Sequence, residues 1–297
     1  MTRLGFVGTG TMGDPMVRCL CAAGHRPAVQ DADTVAAHRV ADRDGLKVAL
    51  DAAALGAECD VVILMLPNSA IVREVCLGAG GLAEGMQGGI VVDMSSSDPV
   101  ETRRLGAELK ERGITLLDAP VSGGLRKAQD GTLAIMLGGD DDAAMAGVTP
   151  VLESMGRVFR AGPLAAGHAT KALNNYISAA GLVAACEAVL VGQDFGLDPA
   201  VLTQIVNAST GRNNSTENKL AQFILSGDFR KAGFGLRLMA KDVGLAAALG
   251  AHTGHALPGL AAQDAIWREA AERLDAGADH TEVFSYLAGL DRRGDTE

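Results

Sequence analysis

A glycine-rich turn near the start of the chain restricts the fold more than any other feature. The motif Gly8-Thr-Gly-Thr-Met-Gly13 directly follows an apolar strand at residues 4–7 and opens a helix. In this context the first glycine permits a tight turn, the second lets the backbone approach a pyrophosphate, and the third lets the helix pack on the strand. The helix N-terminus would face the anion. We therefore predict that a dinucleotide is bound by Gly8, Gly10, Thr11, Met12 and Gly13.

Short β-rich runs alternate with helical stretches as far as residue 163. The run Val61-Val-Ile-Leu-Met-Leu66 is continuously apolar, which is typical of a parallel strand buried on both faces. We predict strands at residues 4–7, 28–30, 61–66, 90–93, 114–117 and 133–137. This alternation predicts a doubly wound, mainly parallel sheet. Residues 1–163 are therefore expected to form a Rossmann-type NAD-binding domain.

Strand-like runs disappear after Gly162-Pro163, and helix-forming residues dominate. We predict helices at residues 169–193, 199–207, 216–225, 236–249 and 259–274. A length of 297 residues is enough for two hydrophobic cores. The expected architecture is an α/β Rossmann-type N-terminal domain followed by an all-α C-terminal domain, residues 164–297, for substrate binding and oligomerisation.

Composition narrows the class of partner and the compartment. The formal charge of -10 argues against a general nucleic-acid or anionic-membrane surface. Five cysteines without a CxxC pair suggest neither a disulfide framework nor a zinc site, so we expect no metal and a reducing, cytoplasmic setting. Because an apolar strand and the glycine turn follow Met1 almost at once, we expect no signal peptide. The apolar segment 172–191 is interrupted by Asn174, Asn175 and Glu187, which favours a buried helix over a membrane span.

Asp31 stands 18 residues after Gly13, at the end of the second predicted strand. A carboxylate there can accept hydrogen bonds from an adenosine ribose and repel a 2′-phosphate, which favours NAD over NADP. The alternative for Asp31 is a helix cap or loop acid, because Asp33 lies close by and could cap the next helix. Arg39 and Arg43 leave room for NADP.

Two further loops lie at the carboxyl edge of the predicted sheet, where ligands of this fold bind. Leu66-Pro67 follows the strand at 61–66, and Ser95-Ser-Ser97 follows the strand at 90–93. Both would border the nicotinamide half of the cofactor. Ordinary turn composition is an equally good interpretation from the sequence alone.

The segment Asp118-Ala-Pro-Val-Ser-Gly-Gly124 offers a hydroxyl and two unobstructed backbone N–H groups. This combination suits a carboxylate or a carbonyl oxygen. The neighbouring Arg126-Lys127 supplies positive charge in an acidic protein, although such pairs are usually solvated. We therefore prefer a substrate role for Ser122 to that of a plain loop residue.

Lys171 and Asn175 are four residues apart and share one face of a predicted helix. A lysine on an apolar helix is unfavourable unless it is paired or lies in a polar cleft, which favours a functional lysine. The alternative is a lysine whose ammonium group reaches solvent. His168 is interpreted as a hydrogen-bonded polar residue without a catalytic role.

Together these segments resemble the β-hydroxyacid dehydrogenase family. That family includes 3-hydroxyisobutyrate dehydrogenase, tartronate semialdehyde reductase and L-threonate dehydrogenase, and is related to 6-phosphogluconate dehydrogenase. The resemblance covers nearly the whole chain and rests on four ordered segments: Gly5-Phe-Val-Gly-Thr-Gly-Thr-Met-Gly-Asp-Pro-Met16, Asp118-Ala-Pro-Val-Ser-Gly-Gly124, Lys171 with Asn174-Asn175, and Met239-Ala-Lys-Asp242.

The resemblance implies a role for each matching position. Lys171 would be the catalytic lysine, and Asn175 would orient the substrate. The remaining substrate contacts would be Ser122, Gly123 and Gly124, and further cofactor contacts would be Leu66, Pro67, Ser96 and Lys241, the last steadied by Asp242. Two positions depart from the family pattern: Ala165 stands where glycine is common, and Ile71 where asparagine often follows the Leu-Pro pair. Phe234 and the stretch 211–214 lie where relatives often line the substrate pocket, but a core aromatic and an interhelical turn explain them equally well.

The expected function is hydride transfer between NAD, or NADP, and a small anionic 3-hydroxy acid, with Lys171 as general acid and base. 3-Hydroxyisobutyrate, a C4 sugar acid, glycerate and a sulfonated C3 compound all remain candidate substrates. The alternatives are an imine-reductase-like enzyme and a non-catalytic NAD-binding interaction module. The resemblance also implies a homodimer or homotetramer.

Overall fold

The computed structural model describes residues 2–290. Contacts divide the chain into two compact units, one ending at Lys171 and one starting at Ala172. The predicted boundary after residue 163 stays a prediction.

The first unit is built on one eight-stranded sheet. Its strands are β1 (Leu4–Val7), β2 (Ala28–Gln30), β3 (Val61–Leu64), β4 (Gly89–Asp93), β5 (Ile114–Asp118), β6 (Val121–Ser122), β7 (Leu133–Gly138) and β8 (Gly156–Gly162). The spatial order is β2-β1-β3-β4-β5-β7-β6, with β8 beside β7. Strands β1 to β5 are parallel, β7 is antiparallel to β5 and β6, and β8 is parallel to β7.

The chain passes to the other side of β1 after β2, so that β2 and β3 flank it. An isolated parallel bridge between Val29 and Val48 marks where a further strand would extend the sheet beyond β2. The doubly wound α/β architecture is therefore confirmed. In such sheets the ligand crevice lies beyond the carboxyl ends of the strands at this reversal of strand order, here β1 and β3.

Helices cover this sheet, and their starts follow from local capping. The helices of the first unit are α1 (Gly13–Ala22), α2 (Thr34–Asp44), α3 (Ala52–Glu58), α4 (Ser69–Leu77), α5 (Leu82–Gly85), α6 (Pro99–Lys110), α7 (Gly124–Gln129) and α8 (Asp142–Leu152). Asp33, Asp51, Asp98 and Asp141 each accept a backbone N–H at a helix start. Phe6, Met16 and Leu117 are completely buried in one core cluster of this unit.

The second unit is helical, which confirms the predicted fold class. Its helices are α9 (Ala166–Asp194, which begins in the first unit), α10 (Pro199–Asn207), α11 (Asn214–Asn218), a π-helical turn (Leu220–Ile224), two 3-10 turns (Phe229–Lys231 and His280–Glu282), α12 (Leu236–His252), α13 (Pro258–Arg273) and α14 (Val283–Ala288). The core of this unit surrounds Trp267 and Val243. By length and composition α9 could cross a membrane, but a long core helix meets the same criterion, and 44% of its most apolar window is buried.

Candidate active site

The glycine turn after β1 contains two kinds of glycine. At some, an added Cβ would collide with the protein, and at one it would meet open space. A Cβ at Gly8 would lie 2.2 Å from the Met65 carbonyl oxygen, and one at Gly13 would lie 1.8 Å from the Gly8 carbonyl oxygen. A Cβ at Gly10 would meet no atom within 4 Å. Thr11 is exposed and Met12 half-buried on the same turn. Gly8 and Gly13 are therefore required by the protein's own packing, while Gly10 borders space that a pyrophosphate can approach.

Asp31 is tied to this turn. Its Oδ2 accepts hydrogen bonds from the Thr9 backbone N–H at 2.6 Å and from the Thr9 hydroxyl at 3.1 Å, and its Oδ1 accepts one from the Asp33 N–H. Asp33, and not Asp31, caps α2. Of the two arginines that left room for NADP, Arg43 is paired with Asp14 at 2.6 Å. Asp31 therefore links the end of β2 to the glycine turn, and its contact with a ribose stays a prediction.

The loops after β3 and β4 are joined by a hydrogen bond. The predicted strand at 61–66 ends at Leu64, because the N–H of Leu66 is given to the Ser95 hydroxyl at 2.9 Å and Pro67 has no N–H to give. Ser95 is fully buried, whereas Ser96 is half-buried and Pro67 is exposed. Of the three serines, Ser96 is the least enclosed and stays the predicted cofactor contact.

The loop that carries the predicted substrate contacts turns sharply after β6. Gly123 has φ 137° and Gly124 has φ 66°, in the left-handed region that favours glycine. Ser122 is half-buried, and both glycines are exposed. The Arg126 side chain is also exposed and lies 4.0 Å from Asp130. The loop thus exposes Gly123 and Gly124, and its contacts with a substrate stay predictions.

Asp118, at the end of β5, is completely buried and holds the start of α9. Its Oδ1 accepts the N–H of Ala165 at 2.7 Å, and its Oδ2 accepts the N–H of His168 at 2.8 Å. Burial raises the pKa of this carboxyl, and the nearby imidazole of His168 partly offsets that rise. Ala165 has φ 76°, and among the described residues it is the one non-glycine with positive φ. The helix start is thereby fixed by a buried carboxylate.

His168 is a second buried contact of this helix start. Its Nδ1 lies 2.9 Å from the hydroxyl of Thr102, which donates its own proton to the Asp98 carbonyl oxygen. Nε2 faces Asp93 Oδ2 at 3.6 Å, and within residues 2–290 it has no hydrogen-bond partner. These contacts agree with the interpretation of His168 as a structural polar residue.

Lys171 follows one turn later and has only 8% of its surface exposed. Its i+4 neighbour on α9, Asn175, is buried in the second unit and donates its amide to Asp242 Oδ2 at 2.6 Å. Asp242 also lies 3.2 Å from Lys241 Nζ through Oδ1. One carboxylate therefore holds both Asn175 and Lys241, which provides the predicted support for Lys241.

Some further residues of the second unit have structural roles, and another was not predicted from the sequence. Asn213 caps α11 in a reciprocal pair with Thr216, and the Phe234 ring packs edge-on against His280. Lys219 was not predicted as a site residue, yet its ammonium lies 3.5 Å from the Ser178 hydroxyl on α9. Its sequence context, a lysine between Asn218 and Leu220 in a predicted helix, carries no signal of this position. Among residues 2–290 no group of three potential ligands suits a metal ion.

Comparison with known proteins gives two consecutive family matches. Residues 3–164 match the NAD binding domain of 6-phosphogluconate dehydrogenase, and residues 165–287 match the NAD-binding domain of NADP-dependent 3-hydroxyisobutyrate dehydrogenase. The chain is 36% identical over 264 residues to 2-(hydroxymethyl)glutarate dehydrogenase of Eubacterium barkeri, covering 86% of this chain and 85% of the relative. It is 38% identical over 256 residues to 3-hydroxyisobutyrate dehydrogenase of Pseudomonas aeruginosa, covering 84% and 85%.

Solved structures of other proteins have the same fold as this chain. The 3-hydroxyisobutyrate dehydrogenase of Mycobacterium tuberculosis with L-serine superposes with a TM-score of 0.88 at 32% identity, covering 97% of this chain and 99% of the other. A reductive aminase from Aspergillus terreus, at TM-score 0.58 and 20% identity over 97% and 99%, shares the fold alone. The predictions of family, fold class and an NAD(P)-dependent oxidoreductase are confirmed. The chain belongs to the β-hydroxyacid dehydrogenase family.

Proposed function

We propose that the protein oxidises the primary alcohol of a 2-substituted 3-hydroxy acid, HO–CH2–CH(R)–COO⁻, to the semialdehyde, and catalyses the reverse reduction. The names of two relatives support this core structure. 3-Hydroxyisobutyrate carries R = CH3 and 2-(hydroxymethyl)glutarate carries R = CH2CH2COO⁻. The observation that carries the proposal is Lys171, a buried amine at the start of a helix held by the sheet through Asp118.

The glycine turn fits a dinucleotide because the Cβ position of Gly10 is open. NAD, when bound, supplies the acceptor for the hydride that leaves the alcohol carbon. Gly10, Thr11, Met12 and Gly13 would hold the pyrophosphate through backbone N–H groups, whereas the N–H of Gly8 is donated to the Gln30 carbonyl oxygen at 3.0 Å. A preference for NAD over NADP is supported by the carboxylate of Asp31 beside that turn.

The chain's own side chains handle the proton and the orientation. During oxidation the neutral amine of Lys171 takes the hydroxyl proton, and during reduction the protonated amine returns it. Asn175, whose amide is oriented by Asp242, would hold the reacting oxygen. Ser122 and the backbone N–H groups of Gly123 and Gly124 would bind the carboxylate.

Substitution of Lys171 tests the proposal. Lys171→Ala should lower kcat by at least about a hundredfold while NADH binding is retained. Lys110→Ala, which removes an exposed lysine in the last turn of α6, is the matched control and should leave kcat within about twofold. Because oxidation needs the neutral amine, kcat for oxidation should rise with pH and kcat for reduction should fall. Full activity of Lys171→Ala would refute the role of Lys171.

Assays on the same purified protein distinguish the proposed function from two alternative functions. Turnover of a ketone with an amine, and none of any 3-hydroxy acid, would favour an imine-reductase-like enzyme. NAD binding without turnover across a panel of hydroxy acids would favour a non-catalytic module.

A homodimer or homotetramer is our proposal for the assembly. Its support is an exposed apolar surface on the second unit, formed by Ile177, Val191, Phe195, Val201 and Ile205. Light scattering should give two or four times 30.4 kDa, and Phe195→Glu should lower that mass. We also propose a reducing, cytoplasmic compartment, supported by five free cysteines.

A further inference from the structure

Lys219 occupies an unusual position in the second unit. It lies between α11 and the π-helical turn, where the backbone changes its hydrogen-bond pattern. The side chain is half-buried, and its Nζ lies 3.5 Å from the Ser178 hydroxyl. Single π-helical turns of this kind occur frequently at functional sites. The ammonium group is thus brought to the surface of α9 by a local irregularity of the backbone.

Among the described residues Lys219 has no close ion pair. Within residues 2–290 no carboxylate oxygen lies within 4.0 Å of Nζ. The charge that reaches it is that of the Asp279 carboxylate, because burial raises the pKa of the neighbouring Cys186 thiol to about 12 and leaves it neutral. Asp279 is already engaged by His280 at 2.9 Å and by the backbone N–H groups of Phe234 and Thr281. Burial lowers the pKa of Lys219 to about 8, so the amine is mainly protonated near neutral pH.

Its hydrogen-bond partner belongs to the polar face of α9. Ser178 is three residues after Asn175 and seven after Lys171, so the three side chains lie on one helix face. The rise of the helix separates Asn175 from Ser178 by about 4.5 Å. That spacing is close to the span of the three C–C bonds that join C2 to the distal carboxylate carbon when R is CH2CH2COO⁻. Beyond Ser178 the same face becomes apolar, with buried Leu182 and Cys186.

We propose that Lys219 binds a second anionic group of the substrate, the carboxylate at the end of R in HO–CH2–CH(R)–COO⁻. This inference rests on the proposed function and narrows its substrate to dicarboxylates. The ammonium group donates to the distal carboxylate, and Ser178 is its neutral neighbour in the same subsite. A methyl group as R cannot reach this subsite, so a monocarboxylate gains nothing from Lys219.

Kinetics with matched substrates and variants test the assignment. Wild-type enzyme, Lys219→Met and Lys219→Arg are compared on 2-(hydroxymethyl)glutarate and on 3-hydroxyisobutyrate. Lys219→Met should lower kcat/KM for the dicarboxylate at least about tenfold through KM, leave the monocarboxylate within about twofold, and be rescued in part by Lys219→Arg. Lys231→Met, at an exposed lysine paired with Asp228, is the control and should change neither substrate.

A binding measurement keeps the result separate from the proposed function. Titration calorimetry of the NADH-loaded protein with glutarate, and with isobutyrate as the monocarboxylate control, needs no turnover. Glutarate should bind at least about tenfold more tightly than isobutyrate, and Lys219→Met should abolish the difference. Equal affinity of the wild-type protein for the two acids would overturn the assignment. An equal fall of kcat/KM for both substrates in a folded Lys219→Met protein would overturn it as well. Absence of turnover with normal glutarate discrimination would instead refute the proposed function alone.

Discussion

Replacement of Gly10 by alanine should weaken NAD binding without unfolding the protein. A Cβ at this position meets no atom within 4 Å, and Gly10 is not among the glycines with positive φ. The substitution therefore introduces neither a clash nor backbone strain in the free protein. Stability should change by less than about 1 kcal/mol, with a small gain from the lower entropy of the unfolded chain.

The loss of affinity follows from the backbone contact that a pyrophosphate needs. The added methyl group stands in the space above the turn, so at least one charge-assisted hydrogen bond from a backbone N–H is lengthened or lost. Such a bond contributes about 1.5–3 kcal/mol, which corresponds to roughly a 10- to 100-fold rise in Kd. NADH fluorescence titration measures this change, and thermal unfolding without cofactor measures stability.

Gly13→Ala is the matched comparison, because its Cβ would lie 1.8 Å from the Gly8 carbonyl oxygen and 3.1 Å from a ring carbon of Phe6. Since backbone cannot yield as a flexible side chain does, overpacking should destabilise the first unit by about 1–3 kcal/mol or more. Its unfolding temperature should fall by several degrees. Unchanged NADH affinity in a folded Gly10→Ala protein would refute the claim that Gly10 borders the pyrophosphate site.

Three further outcomes follow from the buried contacts. Asp118→Asn, which keeps one acceptor oxygen for two backbone N–H groups, should destabilise the protein by about 2–4 kcal/mol in urea unfolding, and a loss below about 0.5 kcal/mol would contradict the role of Asp118. Ala165→Gly should raise stability by up to about 1 kcal/mol, because φ 76° strains alanine, and a lower unfolding temperature would exclude that strain. The folded-state pKa of Lys219, about 8, lies below its ordinary 10.5, so the unfolded chain binds the proton more tightly. Lys219→Met should therefore stabilise the protein most below pH 8, and this gain should shrink toward pH 10.5 in unfolding measured across that range.

The strands of the first unit were predictable because buried parallel strands are short, apolar and bounded by turns. Two strands escaped prediction for physical reasons. β8 contains Arg157 and Arg160 and alternates partly buried with exposed residues, so it has no apolar run. β6 has two residues, Val121 and Ser122, and is defined by its antiparallel pairing with β7. Such pairing depends on contacts distant in the chain, which local sequence patterns do not contain.

In the second unit, too, local signals were predictable from the sequence and contacts between distant segments were not. The helix at Pro199–Asn207 was predicted to the residue, since its proline start and Asp198 cap are local signals. The predicted helix at 216–225 is instead α11 followed by the π-helical turn, and Lys219 stands at their junction. Its approach to Ser178 spans 41 residues of sequence. The predicted site residues lie in sequence motifs and stay predictions, whereas the contact between Lys219 and Ser178 joins distant segments and has no local signal in the sequence.

The start of α9 shows why a lysine is tolerated on so apolar a helix. Asp118 binds the backbone at Ala165 and His168, and a Cβ at Gly167 would lie 2.0 Å from the Met136 carbonyl oxygen. The first turn of the helix is therefore fixed by strands β5 and β7, not by its own propensity. The sheet therefore fixes the backbone one turn before Lys171. The free-energy cost of burying this amine can be offset by the contacts that hold the first unit together. Loss of the Asp118 contacts should consequently affect the position of Lys171 as well as stability, so a folded Asp118→Asn protein should show a lower kcat than wild type.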